Sequence, residues 1–484
     1  MKDTADRTPW RLLGVVILVA ALFRLPFLVD FPIVEPDEGL WTISSKNWIT
    51  SGDWFVAGRT HFLLSPVFHL INVVLFGLLG PSIGAARLLN AIAGIGSAAL
   101  LFELVRRTTT NVRLAFVGAL LFSMSEWTVI WSRRAMIEPL ELCLALVAFL
   151  GAVSPGRRGI VTAAIAMALS ILTKANAVVM LPGLAAFAIW GMPTVTGLRP
   201  SWEGVRRAAA ILFGAVGIAL AVYGVLYLTY PEQFLRAFGF ELTVGEATGG
   251  TGGESARVSR FGPDLVLTGR AILTLFREDP FLFVLASLGI GLAVFDRRPV
   301  MVAFGAWMLS TFGMTAIQRF QPQRYYYLAA PALAFLAAVA LDALGKLPEG
   351  SPQGRRLIPR RLVAVLAVVG LFEVAYVGLG LLGSDRQPPP AAAEWMKANA
   401  APSDTVLAAA YFCTDIPNPC LEYYFIAPDT LRLQGLIESR RIAYILFDTM
   451  EWPPSYEPYL RARFPVVQQW GFGKVFAVPD SARR

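Results

Sequence analysis

The chain is poor in the residue types that usually build compact reactive sites. It has three cysteines and two histidines among 484 residues. Three cysteines do not make a disulfide scaffold. His61 and His69 fall short of a His-rich metal site. No nucleophile elbow is present, and no Cys-His pairing points to covalent catalysis. Charge is scarce as well. Charged residues make up 16% of the chain, about a third below the ~25% of soluble domains. A soluble enzyme of this length needs more polar surface, and a disordered chain needs fewer apolar residues.

Apolar residues are abundant, at 56%. The fold class expected is an all-α polytopic membrane bundle with a small C-terminal α/β domain outside the membrane. A span needs about 20 apolar residues. Eleven segments are expected to cross: Leu12–Val29, Ala85–Val105, Leu114–Ile130, Pro139–Val153, Ile160–Thr173, Ala177–Met192, Ala208–Tyr230, Phe281–Phe295, Val300–Ile317, Leu328–Leu344 and Leu362–Leu382. The first follows Lys2, Arg7 and Arg11 and lacks a small-residue cleavage site, so it reads as an uncleaved span with its N-terminus in the cytoplasm.

Charge supports this topology. The net charge is +8, and the cations gather in alternate joints. These hold Arg106, Arg107 and Arg113; Arg157 and Arg158; Arg199, Arg206 and Arg207; Arg297 and Arg298; and Lys346, Arg355, Arg356, Arg360 and Arg361. Such joints belong on the cytoplasmic side, so the surplus points to anionic lipid and not to nucleic acid. The chain is expected in the cell membrane.

The remaining joints then face outward. Residues 30–84 hold acids, aromatics and the apolar stretch Phe62–Leu79, broken by Pro66. That stretch reads as a helix at the outer interface rather than a crossing. Residues 231–280 centre on Gly249-Gly250-Thr251-Gly252-Gly253, which reads either as a mobile lid or as a linker. No Gly-Lys-Ser/Thr follows, so this is not a P-loop.

Residues 1–384 are expected to form the membrane unit and 385–484 the outer domain. Pro388–Pro390 stiffen the joint between them. Ala391–Ala400 reads as a helix and Thr405–Ala410 and Ile442–Phe447 as buried strands. Val466–Trp470 and Lys474–Val478 flank Gly471-Phe472-Gly473 as a hairpin. Cys413 and Cys420 would pair if this region lies outside.

The strongest local signal is Glu35-Pro36-Asp37-Glu38-Gly39. Three carboxylates this close do not all ionise cheaply unless a cation or metal is near. One of them suits a general base, the alternative being a solvated acidic loop with Asp37 as a helix cap. Glu35 or Asp37 also suits a divalent ion held together with a sugar phosphate, Mg, Mn or Zn being the metals open. Further along the outward rim stand Arg133 and Arg134 before Glu138, then Lys174 and Asn176. Arg319 and Arg324 come last, before Tyr325-Tyr326-Tyr327. Cations are disfavoured outside and need a reason there. A bound phosphate supplies one, since Arg grips it with a fork and Lys with a point charge. Snorkelling at the interface supplies another, and the tyrosines read equally as an aromatic belt.

These pieces, in this order, resemble the GT-C glycosyltransferases, most closely the protein O-mannosyltransferases and lipid A aminoarabinose transferases. The resemblance rests on Arg24 before Asp37-Glu38-Gly39, Ser51-Gly52-Asp53-Trp54 and Ala85-Ala86-Arg87-Leu88. It rests also on the stretch from Arg133 to Glu138, Leu172-Thr173-Lys174, and Arg324-Tyr325-Tyr326-Tyr327-Leu328 with Pro331. It covers the membrane half, while the C-terminal domain matches in placement alone. It implies a polyprenyl-phosphate sugar as donor and Asp37 as base or base-positioning group, with Glu38 and Glu138 as further acids of the site. The second acid is an Asp in many relatives and is Glu138 here. The family's Lys-Pro-Pro-Leu-like stretch is replaced by Leu64-Ser65-Pro66-Val67, so the donor contact expected there is either missing or supplied by Arg59. Arg59, Arg133, Lys174, Arg319, Arg324, Tyr325 and Tyr326 are the expected phosphate-side residues.

The chemistry is consistent with the residues themselves. A polyprenyl phosphate leaves as a stable anion and needs no general acid, unlike the alkoxide of a glycosidase. One base for an acceptor hydroxyl and cations for the departing phosphate suffice, and direct displacement inverts the anomeric centre. The acceptor class, whether glycan, lipid or protein, is open. A transporter or flippase of lipid-linked sugars would use the same cations, but few polar or broken helices stand near the bilayer midplane. A non-catalytic assembly protein would not need the acids.

Overall fold

A computed structural model describes residues 8–32, 34–55, 60–192, 197–245, 257–259, 262, 264–295, 298–318, 323–345, 368, 375, 388–422, 430–449, 452, 455–471 and 473–482. Its helices are α1 (Thr8–Arg24), α2 (Pro36–Ser51), α3 (His61–Leu64), α4 (Pro66–Leu79), α5 (Ile83–Thr109), α6 (Val112–Met124), α7 (Glu126–Arg133), α8 (Glu138–Val153), α9 (Gly156–Thr173), α10 (Leu181–Trp190), α11 (Trp202–Thr229), α12 (Pro231–Leu242), α13 (Leu265–Glu278), α14 (Pro280–Phe295), α15 (Pro299–Ala316) and α16 (Ala330–Gly345). Three-residue strands β1 (Thr243–Gly245) and β2 (Arg257–Ser259) pair antiparallel between α12 and α13.

The chain is a multi-pass membrane protein. Among the described residues five helical segments are long and apolar enough to cross a bilayer unaided, and seven if each bent pair is one crossing. α11 shows the solvent it needs. Phe213 and Leu228 are each 80% exposed on it, a surface that water would penalise and lipid accepts. The expected span Leu114–Ile130 is broken at Ser125, where α6 and α7 meet at 58°. The Ser125 hydroxyl accepts from the Thr128 N–H and so caps the new helix start. The expected span Ala177–Met192 begins as a 3-10 turn, Ala175–Met180, before α10. Apart from residues 368 and 375, Leu362–Leu382 lies outside the described residues, as do Gly249–Gly253.

The Phe62–Leu79 stretch becomes α3 and α4. Ser65, between them, donates to the Thr173 carbonyl at the end of α9. α4 ends four residues before α5 begins, at the same end of the bundle. Both ends of α4 therefore lie at that end of the bundle.

The opposite end collects the arginines. Arg107 donates to the Ser154 hydroxyl, and Arg207 to the carbonyls of Gly151, Ala152 and Ser154. Orphan carbonyls at the end of α8 thus find donors.

The C-terminal unit contains α17 (Pro388–Asn399), β3 (Thr405–Ala408), α18 (Ala410–Asp415), β4 (Cys420–Glu422), α19 (Thr430–Arg440), β5 (Ile442–Asp448), α20 (Tyr456–Arg463), β6 (Val466–Trp470) and β7 (Gly473–Ala477). The sheet order is β4-β3-β5-β7-β6. β3 is parallel to β4 and β5, while β7 is antiparallel to β5 and β6. The helix, the two buried strands and the hairpin expected from the sequence are all present. Cys413 and Cys420 form a disulfide. One core of this unit is shared with the membrane unit, because Val34 and Ile43 pack with Met396, Val406, Tyr411 and Phe412. α2 is the element that joins them.

Candidate active site

The acidic loop becomes the first turn of α2, with Pro36 leading and Asp37 and Glu38 following. Pro suits that position because its missing N–H would be unpaired there anyway. The turn splits the two acids. Glu38 is fully buried. Arg87 of α5 clamps it with Nε on Oε2 and Nη2 on Oε1, both at 2.8 Å. The backbone N–H groups of Glu35 and Ala135 donate to the same carboxylate at 2.8 and 2.6 Å. Four donors fill its in-plane acceptor sites, so Glu38 has the contacts of a scaffold that ties α2 to α5 and to the α7–α8 turn.

Asp37 faces the other way. It is ion-paired with Arg324 Nη1, and its side chain is 28% exposed. Arg324 lies in the 3-10 turn Gln323–Ala329 that leads into α16. Its Nε stands 3.4 Å from Glu138 Oε1. The same oxygen accepts from Lys174 Nζ at 2.6 Å. Glu138 begins α8 and Lys174 ends α9, so two helix ends meet at one carboxylate. Lys174 Nζ also lies 4.2 Å from the centre of the Tyr325 ring, within cation–π range. Burial opposes the Lys174 charge, but Glu138 and Tyr325 outweigh it and raise the pKa. Asp37, Arg324, Glu138 and Lys174 thus form one alternating chain of acids and cations built from four segments.

A second row borders it. Arg134 Nη1 lies 3.3 Å from Glu35 Oε2 and 4.7 Å from the Trp131 ring centre. Glu278 at the end of α13 accepts a hydrogen bond from the Gln323 side chain and lies near Arg134. Nothing local in the sequence marks Glu278, because its partners come from distant segments. Glu141 is another acid that nothing singled out in the sequence. It is buried one turn below Glu138, and among the described residues neither carboxylate oxygen has a hydrogen-bond partner. A carboxylate in an apolar helix, three residues after another, was the signal available for it.

Other expected residues lie elsewhere. Arg133 is fully buried and donates to the carbonyls of Phe23, Pro26, Phe27 and Phe31. It serves the open end of α1, where backbone acceptors lack helical partners. Arg24 returns the service to α6, donating to the Ser123 and Phe122 carbonyls and to Ser132 and Thr128. Tyr326 is fully buried against Phe312. Arg59 and Arg319 lie outside the described residues. The two acids expected to hold a divalent ion each face an arginine. Among the described residues no three His, Cys, Asp or Glu side chains gather as a metal site requires.

An apolar helical bundle with acids and cations at one end, capped by a small mixed sheet, is the fold seen in the solved ArnT structures. Residues 64–230 match the family model described as dolichyl-phosphate-mannose-protein mannosyltransferase. A 128-residue stretch is 29% identical to the undecaprenyl phosphate-alpha-4-amino-4-deoxy-L-arabinose arabinosyl transferase of Edwardsiella ictaluri (strain 93-146). That stretch is 25% of this chain and spans 23% of the curated relative. The crystal structure of ArnT from Cupriavidus metallidurans in the apo state superposes with a TM-score of 0.70 at 18% identity, over 99% of both chains. The same protein bound to undecaprenyl phosphate gives 0.67 over the same coverage. The apo oligosaccharyltransferase of Archaeoglobus fulgidus gives 0.55 at 13% identity, over 93% of this chain and 70% of that one. The resemblance read from the six sequence stretches is therefore met by a segment match and by a fold match along the whole chain.

Proposed function

We propose that this chain is a membrane glycosyltransferase that moves a sugar from a polyprenyl-phosphate donor to an acceptor hydroxyl at the outer face. One observation carries the reading: Asp37, Glu138, Lys174 and Arg324 meet at one end of the bundle. A base beside two cations is the set that this reaction needs. Asp37 takes the acceptor proton, and the hydroxyl oxygen attacks the anomeric carbon opposite the departing phosphate, inverting the centre. Arg324 and Lys174 hold the phosphate as its charge rises. Glu138 holds both cations in place, and Glu38 with Arg87 fixes the turn that aims Asp37.

The arginine-rich end belongs to the cytoplasm by the positive-inside preference. This puts the site and the C-terminal unit outside, where the Cys413–Cys420 disulfide is at home. The similar ArnT structure is bound to undecaprenyl phosphate, which is of the class of carrier that the proposed donor would leave behind.

Purified protein and radiolabelled polyprenyl-phosphate sugars test the reading. Donor-dependent transfer that Asp37→Asn abolishes is expected. Full transfer by Asp37→Asn, or a protein that moves labelled lipid across vesicles without releasing sugar, would overturn it.

A further inference from the structure

A second cleft, of about 570 Å³, lies between α2, the α4–α5 joint and the C-terminal unit. Its volume is that of a small-molecule site, about 300–1,000 Å³. It is not an extension of the catalytic rim. Lys46, which lines it, stands nine residues after Asp37 on α2. Nine residues are about two and a half helical turns, so the two side chains leave opposite faces, roughly 13 Å apart along the axis. The buried Arg87–Glu38 pair stands between them, with Arg87 donating to the Val29 carbonyl on the cleft side.

The cleft has two different walls. Its floor is apolar, with Val29, Leu79 and Ile83 at the end of the bundle. Leu78 beside Leu79 is 76% exposed, and Phe27 near Val29 is 62% exposed, so the floor runs into the lipid-facing surface. Its other wall carries Lys46, Asp415, Glu394 and Lys397. Two of the three Lys46 donors go to the Cys413 and Ile416 carbonyls, which leaves one among the described residues. Asp415 accepts from the Ile83 N–H at 2.8 Å through Oδ1. The four charges sum to zero, with acids and cations both facing the space.

We propose that this cleft holds the headgroup of a zwitterionic phospholipid, of the phosphoethanolamine type. The ammonium goes to Asp415 and Glu394, the phosphate to Lys46 and Lys397, and the acyl chains leave over Leu79 and Leu78. An anionic headgroup would meet the same cations but also two carboxylates without a cation to offer them. Such a lipid would tie the C-terminal unit to the bilayer. The inference does not depend on the proposed transfer reaction.

The test is native mass spectrometry of full-length, delipidated protein titrated with phosphatidylethanolamine and, separately, phosphatidylglycerol. At least about tenfold tighter retention of phosphatidylethanolamine is expected, the worth of one charge-assisted hydrogen bond. Glu394→Lys should weaken phosphatidylethanolamine about tenfold and strengthen phosphatidylglycerol. Asp415→Asn should do the same to the first lipid. Because Asp415 also holds the Ile83 backbone, the exposed Glu394 keeps the test independent of folding. Equal retention of both lipids, tighter phosphatidylglycerol, or no response to Glu394→Lys would overturn the proposal. So would displacement of bound lipid by a soluble oligosaccharide, which would make this an acceptor site.

Discussion

Asp37 and Glu38 are neighbours in sequence, yet their substitutions should fail in opposite ways. Glu38→Gln removes the charge that faces Arg87 inside a fully buried, two-point ion pair. Breaking one partner of such a pair leaves the other charge buried and costs about 3–5 kcal/mol. The Ala135 and Glu35 N–H groups also lose a charged acceptor. A fall of several degrees in melting temperature is expected, and transfer should drop because the α2 turn loosens. Asp37→Asn weakens one half-buried ion pair and leaves Arg324 facing Glu138, a loss of about 1.5–3 kcal/mol at most. Its stability should fall less than that of Glu38→Gln. Its turnover should fall about 10²–10⁴-fold, the range for loss of a general base. The assay is thermal unfolding in detergent beside donor-dependent transfer at saturating substrates. A Glu38→Gln protein that melts like the wild type but is inactive would show that Glu38, not Asp37, touches the reacting atoms. An Asp37→Asn protein with full turnover would refute the assignment from the other side.

Lys174→Met and Arg324→Gln should each lower kcat/KM for the donor about 10–100-fold, since a charge-assisted hydrogen bond is worth about 1.5–3 kcal/mol. Donor-concentration series check this, and an effect confined to the acceptor would contradict it. Burial pushes Asp415 up to about 6, so the folded state holds a proton between roughly pH 4 and 6 that the unfolded chain has lost. Stability from this group therefore rises as pH falls through 6. The wild type should gain on Asp415→Asn by at most about 3 kcal/mol between pH 7 and 4, read by unfolding at both pH values. At Gly289 an added Cβ would fall inside the Leu336 carbonyl, whereas at Gly291 it meets nothing within 4 Å. Gly289→Ala should therefore separate α14 from α16 and cost about 1–3 kcal/mol, while Gly291→Ala, inside the same helix with open space at its Cβ, should leave stability unchanged or raise it by up to about 1 kcal/mol.

The sequence by itself determined the class of solvent and the order of the chemical groups. Long apolar segments fix where the chain enters lipid, since an unpaired backbone there is too costly for anything but helix. Arg106, Arg107, Arg157 and Arg158 mark one end of the bundle by charge, and so assign Asp37, Glu138, Lys174 and Arg324 together to the other. The strands around Thr405 and Ile442 and the closing hairpin were legible from local alternation and Gly spacing. The tertiary structure decided the roles within the cluster. Whether an arginine meets a phosphate or a row of carbonyls depends on which helix end lies beside it, and Arg133 met the end of α1. Which of two adjacent acids is buried depends on how α2 is rolled against Arg87, a contact 49 residues away. The same contact range hid Glu278, Asp415 and the shared core of Val34 and Ile43. Periodicity records how a segment divides itself between lipid and protein, but a pairing between distant segments has no local trace.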